Sequence, residues 1–322
     1  MFDKNFLIGN TPMIKINYKY KENYNSIWTK LEYYNLTGSI KDRVAFYMIN
    51  NAKKRGELKE NMPIIEATSG NTGISLSALG TYYKHPVYIF MPDWASKERI
   101  DLMKSYGAKV FLISKEDGGF LRCIEEAEKL AKKLGGLFMN QFSNKDNFQA
   151  HYETTSDEIL VQFSDEIGGF VSGVGTGGTL MGIGQKLKEK YTNLKITAIE
   201  PDKMPIISNG KILGQHKIEG IGDDFVPELV DKNKIDEIIL INDDDAINMS
   251  RKLSRKLGLG VGISSGANLL GSVLLNNEIH QNVITVFPDD NKKYLSTELS
   301  DEINLTSEFI SNQIELVGFE II

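Results

Sequence analysis

The chain has 322 residues, of which 41 % are hydrophobic and 25 % charged, so it is long enough for two globular domains and is not a disordered chain. Its net charge is −6 and no stretch is dense in lysine and arginine, which argues against binding nucleic acid or an anionic membrane by bulk electrostatics. One cysteine, no signal-peptide pattern and no stretch of about 18 apolar residues indicate a cytoplasmic globular protein.

Short apolar runs alternate with amphipathic segments along the chain. This alternation, with strands that are apolar almost throughout, is typical of α/β folds with parallel sheets. A polar stretch at 144–147 is the best boundary between two apposed lobes. The tail after Tyr294 could be a packed arm, a partner surface or partly disordered. The predicted strands lie at 63–66, 87–90, 110–113, 137–139, 169–171, 196–199, 238–241 and 283–287. The predicted helices are a stretch through Leu76 and Leu79, segments at 97–106, 124–134 and 179–190, and a long helix after Asn147 that ends at Phe163.

A glycine-rich loop, GVGTGG at 173–178, follows a predicted strand and precedes a helix. It contains G-x-G-x-x-G, and Glu200 ends the next strand, as in a dinucleotide fingerprint with its ribose-binding acid. More generally, backbone N–H groups at a helix start cradle an anion such as phosphate. Thr176 and Thr179 add hydroxyl donors, so phosphate binding is favoured over a structural glycine turn. Whether that phosphate belongs to a dinucleotide stays open.

A second loop, TSGNTG at 68–73, also lies between a strand and a helix. Its N–H and hydroxyl donors suit a carboxylate. An ordinary capped strand-to-helix loop explains the same residues equally well, because Ser, Thr and Asn are favoured caps.

A third segment, NLTGSIKDR at 35–43, starts a helix. Ser39 and Asp42 form an S-x-x-D capping box, which places Lys41 in the first turn. The positive end of the helix dipole lowers the pKa of a lysine there and favours a neutral, nucleophilic amine. A surface lysine is the commoner role, but a phosphate loop and a carboxylate loop accompany this one. A lysine that forms an imine, together with a phosphate anchor, is what pyridoxal phosphate requires.

Several motifs in order identify the chain as resembling a family, the cysteine synthase/cystathionine β-synthase family of pyridoxal-phosphate enzymes, fold type II. The match runs from Ile8 to Ser296. Besides the three loops it includes MPD at 91–93, NQF at 140–142, HYETT at 151–155, GIG at 220–222 and GISSG at 262–266.

The resemblance implies an architecture like that of the tryptophan synthase β-subunit, with two three-layer α/β lobes and the cofactor cleft between them. The smaller lobe would be residues 35–145, with the substrate-carboxylate loop. The larger lobe would be residues 1–34 and 146–322, with the phosphate loop and a serine at the pyridine nitrogen. A homodimer is also implied. Separately, one cysteine is too few for a cysteine zinc site, and no metal is expected.

The same resemblance implies roles for individual residues. Lys41 would hold pyridoxal 5'-phosphate as an imine and later act as the base at Cα. Asn71 would hydrogen-bond the ring oxygen and Ser264 the pyridine nitrogen. The phosphate would be bound by Gly175, Thr176, Gly177, Gly178 and Thr179, and the substrate carboxylate by Thr68, Ser69, Thr72 and Gln141.

A serine at the pyridine nitrogen, unlike an aspartate, does not force that nitrogen to be protonated. The ring is then a weaker electron sink, which favours rapid loss of a β-substituent over transamination. The expected reaction is therefore β-replacement on a serine-like amino acid through an aminoacrylate intermediate.

The run GIGDDF at 220–225 departs from the family's O-acetylserine sulfhydrylases, which usually have small residues after GIG. The cystathionine β-synthase branch has an acid at the place of Asp224, where a carboxylate could protonate a poor leaving group and then activate water or a thiol. We predict a catalytic Asp224 and a structural Asp223, although such pairs beside glycine are often solvated turns. Trp94, also unusual, could line the substrate mouth or pack between the lobes, and we predict that it packs between them.

The leading hypothesis is β-replacement on L-cysteine or L-serine, in the first version converting L-cysteine to hydrogen sulfide plus L-serine or a thioether amino acid such as lanthionine. Water, a thiol or sulfide would be the second substrate. Three alternatives stay open: cysteine synthase (O-acetylserine sulfhydrylase), deamination of serine or threonine, and, from another class, an NAD-dependent oxidoreductase that uses the glycine fingerprint and Glu200. A non-catalytic binding protein fits least, because every reactive position is intact.

Overall fold

The computed structural model describes residues 7–304, 306 and 308–322. Within them the chain forms two sheets, one of four strands and one of seven. The strands are β1 (Met13–Tyr20), β2 (Asn23–Leu31), β3 (Ile64–Ala67), β4 (Val87–Pro92), β5 (Lys109–Ile113), β6 (Leu137–Phe138), β7 (Gly169–Gly173), β8 (Lys195–Pro201), β9 (Glu237–Ile241), β10 (Val283–Phe287) and β11 (Ile314–Ile321). The helices are α1 (Lys41–Lys54), α2 (Asn71–Tyr82), α3 (Lys97–Ser105), α4 (Gly119–Leu134), α5 (Lys145–Ala150), α6 (Ser156–Gln162), α7 (Gly178–Lys190), α8 (Ile206–Asn209), α9 (Asp243–Leu257), α10 (Ile263–Ile279) and α11 (Ile310–Gln313).

The four-stranded sheet has the order β5-β4-β3-β6 and is parallel throughout. Ile64 and Ile89 pack with α1, α2 and α3 on one face, whereas Ile65 and Phe90 pack with α4 on the other. Because both faces are covered, β3 and β4 are apolar at nearly every position. We call this sheet and its helices the small lobe. Its strands fall inside the predicted segment 35–145, whose exact boundaries stay a prediction.

The seven-stranded sheet has the order β11-β1-β2-β10-β7-β8-β9. The five strands from β2 to β9 are parallel, and β1 pairs antiparallel with both β2 and β11. Helices α9 and α10 contribute to the core on one face, and α6 and α7 to the core on the other. We call this sheet and its helices the large lobe. The prediction of two α/β lobes is confirmed.

The structure differs from the predicted elements in several details, and it decides between the alternatives left open for the tail. The hairpin of β1 and β2 was not predicted, because its apolar residues alternate with polar ones instead of forming a continuous run. The predicted helix over 147–163 is interrupted by a π-helical turn at His151–Thr155. The tail is a packed arm at its end, since β11 pairs with β1 from Ile14 to Tyr20.

The loops that carry the sequence motifs follow the carboxyl ends of parallel strands. The 68–73 loop follows β3, the 173–178 loop follows β7, and Asp289 follows β10 after one proline. Ligands of open parallel sheets bind at this edge. In the part of the chain described, no helix is long and apolar enough to cross a membrane, and no group of three or more His, Cys, Asp or Glu residues is placed to hold a metal ion.

Candidate active site

A cavity of about 650 Å³ is lined by loops of both lobes. It brings together nearly all of the residues predicted to form the site. Those on its wall are Lys41, Thr68, Ser69, Asn71, Thr72, Gln141, Gly175, Thr176, Gly177, Thr179, Asp224 and Ser264, and Asp223, which was not predicted to be a site residue, lines it as well. Gly178 is not on the wall; a Cβ at that position would lie 2.1 Å from the Oδ1 atom of Asn147.

Lys41 is the first residue of α1, as predicted, but the predicted capping box is wrong. The Oγ atom of Ser39 accepts the Lys41 N–H at 3.3 Å, and the side chain of Asp42 does not accept the backbone N–H of Ser39, as the box would require. Instead Asp42 accepts the N–H and the hydroxyl of Thr37 at 2.7 and 2.6 Å. Thr37 offers two donors to a buried carboxylate, whereas the box would have offered one.

The electrostatic setting of Lys41 favours its neutral amine. Burial lowers the pKa of Lys41, and the negative charges of Asp289 and Asp223 oppose that effect. The buried imidazole of His151 lies in the field of Lys41, and its pKa falls well below the usual value through burial and through the charges of Lys41 and Arg43. Lys41 is therefore placed as a base or nucleophile inside the cavity.

The glycine-rich loop connects β7 to α7 with its backbone close to the neighbouring loop. A Cβ on Gly175 would lie 2.4 Å from the carbonyl oxygen of Gly220, and Gly177 has φ +87°, so both positions need glycine. The hydroxyl of Thr176 accepts from the side-chain amide of Asn147 at 2.8 Å, which leaves its proton for a ligand. Together with the unpaired N–H groups of a helix start, this arrangement fits a phosphate.

Glu200, the acid of the apparent dinucleotide fingerprint, is engaged elsewhere. Its carboxylate is 2 % exposed and accepts the N–H groups of Ile207 at 2.5 Å and Ser208 at 3.0 Å, at the start of α8. It does not line the cavity described above. The structure thus removes the ribose-binding residue on which the oxidoreductase alternative depended.

A chain of hydrogen bonds joins the predicted carboxylate loop to Gln141 and to strand β3. Thr72 donates its hydroxyl to the Oε1 atom of Gln141 at 2.6 Å, and the Nε2 group of Gln141 donates to the carbonyl of Ala67 at 3.1 Å. The backbone N–H of Gln141 donates to the carboxylate of Glu66 at 3.2 Å. Burial raises the pKa of Glu66 to about 8, outweighing the two N–H donors that favour its charged form. The loop and Gln141 therefore form one connected unit.

The predicted ring-binding residues lie on two different lobes. Ser264 is in the first turn of α10, and Asn71 is the first residue of α2. Asn71 donates its side-chain amide to Asp289 at 2.7 Å, and the hydroxyl of Tyr294 donates to the same carboxylate oxygen. Among the described residues, the Oδ1 atoms of Asn71 and Asp289 are buried without a partner, and Asn71, which lines the cavity, could offer its Oδ1 atom to a bound polar group.

The two aspartates differ in their surroundings. Asp223 is partly buried and Asp224 is exposed, although both line the cavity. Burial and, to a smaller extent, the charge of Asp224 raise the pKa of Asp223 to about 7, and the charge of Lys41 opposes the rise. Asp223, predicted to be only structural, thus lies in the electrostatic field of Lys41.

Aromatic side chains form one side of the cavity. Phe142 contacts Phe120 and Phe225 edge to face, with ring centroids 5.5 and 5.0 Å apart. Trp94 is 51 % exposed and lines the cavity, and the Nζ atom of Lys115 lies 5.0 Å from its ring centroid. The prediction that Trp94 packs between the lobes is therefore wrong.

Sequence reasoning missed three residues that organise the site, namely Arg99, Asn147 and Asp289. Asn147 donates to the carbonyl of Gln141 and to the hydroxyl of Thr176, both at 2.8 Å, and so joins the carboxylate and phosphate loops. The position of Asp289 just after a parallel strand could have indicated it. No local pattern indicated Arg99 or Asn147.

Comparison with known proteins places the chain in a family. The family model for pyridoxal-phosphate dependent enzymes matches residues 4–289. Cysteine synthase of Staphylococcus aureus (strain Mu50) is 38 % identical over 296 residues, covering 91 % of this chain and 95 % of the relative. Cysteine synthase B of Campylobacter jejuni is 39 % identical over 295 residues, covering 91 % and 96 %.

The solved structure of a hydrogen sulfide-producing enzyme from Fusobacterium nucleatum is 48 % identical, with a TM-score of 0.94 over 98 % of this chain and 96 % of that one. A mutant of that enzyme has been solved with an α-aminoacrylate intermediate. The chain belongs to the family of pyridoxal-phosphate dependent enzymes, and it is an enzyme of the cysteine synthase type whose cofactor is pyridoxal 5'-phosphate.

Proposed function

We propose that this enzyme carries out β-replacement on L-cysteine with water, releasing hydrogen sulfide and forming L-serine. The C–S bond at Cβ breaks and a C–O bond forms there, while water supplies the proton that leaves with sulfide. The observation that carries the proposal is the Asp223–Asp224 pair on the cavity wall, with Asp223 in the electrostatic field of Lys41. The 48 % identity to a hydrogen sulfide-producing enzyme supports it.

The cofactor would be held by residues of both lobes. Lys41 would bind it covalently, the loop from Gly175 to Thr179 would bind its phosphate, Asn71 its ring oxygen and Ser264 its pyridine nitrogen. When bound, pyridoxal phosphate supplies the electron sink that stabilises negative charge at Cα. The substrate carboxylate would be bound at the start of α2 by Thr68, Ser69 and Thr72, and by Gln141.

Lys41 would move the proton at Cα. Because burial lowers the pKa of Lys41, its amine reaches the neutral form at lower pH than an exposed lysine and can accept a proton from carbon. The Thr72–Gln141 hydrogen bond would fix the amino acid through its carboxylate, so that its Cα lies toward Lys41.

The aspartate pair would donate a proton to the group that leaves Cβ and accept one from the group that adds there. A pKa of about 7 leaves Asp223 protonated in part of the enzyme at neutral pH, which suits it to protonate the departing sulfur. Asp224 is exposed and its charge acts on Asp223, which suits it to accept a proton from incoming water. The sequence prediction of a catalytic Asp224 is thereby kept, and Asp223 is added as its partner.

The test is to supply L-cysteine alone to the holoenzyme and to measure sulfide and L-serine. Equal amounts of both are expected. Lanthionine in place of serine would show that a second cysteine is the nucleophile, and pyruvate would show deamination. The proposal fails if no sulfide appears.

Cysteine synthase activity is the second candidate, since the relatives that carry that name are 38–39 % identical to the chain. It predicts fast formation of L-cysteine from O-acetyl-L-serine and sulfide. Comparing kcat/KM for this reaction with that for sulfide release from L-cysteine decides between the two.

A further inference from the structure

Arg99 on α3 is 2 % exposed, yet its guanidinium reaches the cavity wall. Its donors point to different parts of the molecule. The Nε atom donates to the hydroxyl of Ser96 at 2.9 Å, the Nη1 atom donates to the carbonyl of Ser69 at 3.0 Å, and the Nη2 atom donates to the carboxylate of Glu219. One side chain therefore contacts a loop of the small lobe and an acid of the large lobe.

The contact with Ser69 lies within the predicted carboxylate loop. Arg99 holds the carbonyl of Ser69, and so fixes the peptide that leads into α2, whose first N–H groups are available to an anion. The loop also rests against the arginine stem, because a Cβ on Gly70 would lie only 2.4 Å from its Cδ atom. Glycine at position 70 thus permits this close approach.

The contact with Glu219 reaches the loop that bears the aspartate pair. Glu219 directly precedes Gly220, it lines the cavity, and its side chain is 26 % exposed. Two further residues of the large lobe, Lys293 and Tyr294, lie beside Arg99 and its partner Ser96. The ring of Tyr294 lies 5.3 Å from the guanidinium carbon, and Ser96 donates to the carbonyl of Lys293 at 2.6 Å.

We propose that the Arg99–Glu219 ion pair is a positioning device that holds the carboxylate-binding loop at a fixed place relative to Asp223 and Asp224. It thereby couples the binding of the amino acid to proton transfer at Cβ; this second half of the proposal rests on the proposed function. Neither residue needs to touch the substrate. Each acts through the loop that it holds, since a buried charge that loses its partner must move or be rehydrated.

The test uses E219Q, which removes the charge but keeps the size, together with E219D, R99K and the double variant R99K/E219Q. D101N is the matched control, because Asp101 pairs with Lys97 on the exposed face of the same helix. The dissociation constant of the amino acid is measured from the absorbance change of the bound cofactor. Melting temperature and cofactor content report on folding separately.

E219Q and R99K are expected to weaken amino-acid binding about tenfold, the usual size of coupling between two sites. The double variant should bind the amino acid no more weakly than the single variant with the larger loss. E219D should bind more tightly than E219Q, and D101N should bind as wild type does. Additive losses in the double variant would overturn the proposal. A lower melting temperature with unchanged binding would also overturn it.

The titration is done in parallel with L-cysteine, L-serine and O-acetyl-L-serine, which share the carboxylate and differ at Cβ. If wild-type enzyme releases no sulfide but the variants still bind all three amino acids more weakly, the proposed function fails and the positioning role stands. If wild-type enzyme releases sulfide and the variants bind and turn over normally, the positioning role fails alone.

Discussion

The side-chain amide of Asn71 donates a hydrogen bond of 2.7 Å to the Oδ2 atom of Asp289. Asn71 starts α2 in the small lobe and lines the cavity, whereas Asp289 follows β10 in the large lobe, so the bond joins the two lobes. Burial raises the pKa of Asp289, and the charge of Lys293 and the hydrogen bonds from Tyr294 and Asn71 oppose the rise. A carboxylate in this position orients the amide of Asn71 toward the predicted ring site.

D289N should therefore loosen the cofactor site. An asparagine removes the negative charge that strengthens the hydrogen bonds from Asn71 and Tyr294, at a typical cost of about 1–3 kcal/mol. We expect the affinity of the apoenzyme for pyridoxal phosphate to fall about tenfold or more by the same reasoning. Absorbance titration with the cofactor measures it. Unchanged affinity and an unchanged spectrum would show that Asp289 does not orient Asn71.

The pH dependence of sulfide release should distinguish the two aspartates. If protonated Asp223 is the proton donor, the rate at saturating L-cysteine declines as pH rises through its pKa of about 7. The charge of Asp224 raises that pKa, so D224N should move the decline to lower pH. D223N should remove the decline altogether and lower the rate. A profile with the same midpoint in D224N and wild type would contradict the assignment.

K41A should eliminate sulfide release and remove the colour that a lysine-bound cofactor gives the protein. The lysine would serve both as the covalent anchor and as the base at Cα, so we expect a loss of about 1,000-fold or more in rate. Absorbance of the dialysed protein and a sulfide assay measure the two effects. Retention of the coloured, covalently bound cofactor in K41A would place the anchor on another lysine.

The ionisation of Glu66 should lower the free energy of unfolding as pH rises. Its pKa in the folded protein is about 8, above the ordinary value of 4.5. Between these values the folded state binds more protons than the unfolded state, so the free energy of unfolding decreases with pH and levels off above about 8. In E66Q this part of the slope should be absent, whatever the constant effect of the substitution. Urea unfolding at several pH values between 5 and 9 tests it; parallel curves for E66Q and wild type would contradict it.

The sequence by itself determined the α/β class, the two helix-start loops at 68–73 and 173–178, and the position of Lys41 at a helix start. Each of these signals is local. A strand that is apolar on both faces, glycines at a turn and donors at a helix start lie within a few residues of one another, so a short window contains their physical cause. The same local reasoning mistook Glu200 for a ribose ligand and paired Asp42 with Ser39, because Ile207, Ser208 and Thr37 offered better donors.

Only the tertiary structure decided which distant groups meet. The partners of the Arg99–Glu219 pair are 120 residues apart, and those of the Asn71–Asp289 bond are 218 apart. No periodicity or sequence motif spans such separations, because these contacts form only when the folded chain packs the two lobes against each other. Burial in that closed cavity, which the sequence does not display, also sets the pKa of Lys41 and Asp223 and gives these two ordinary side chains their chemistry.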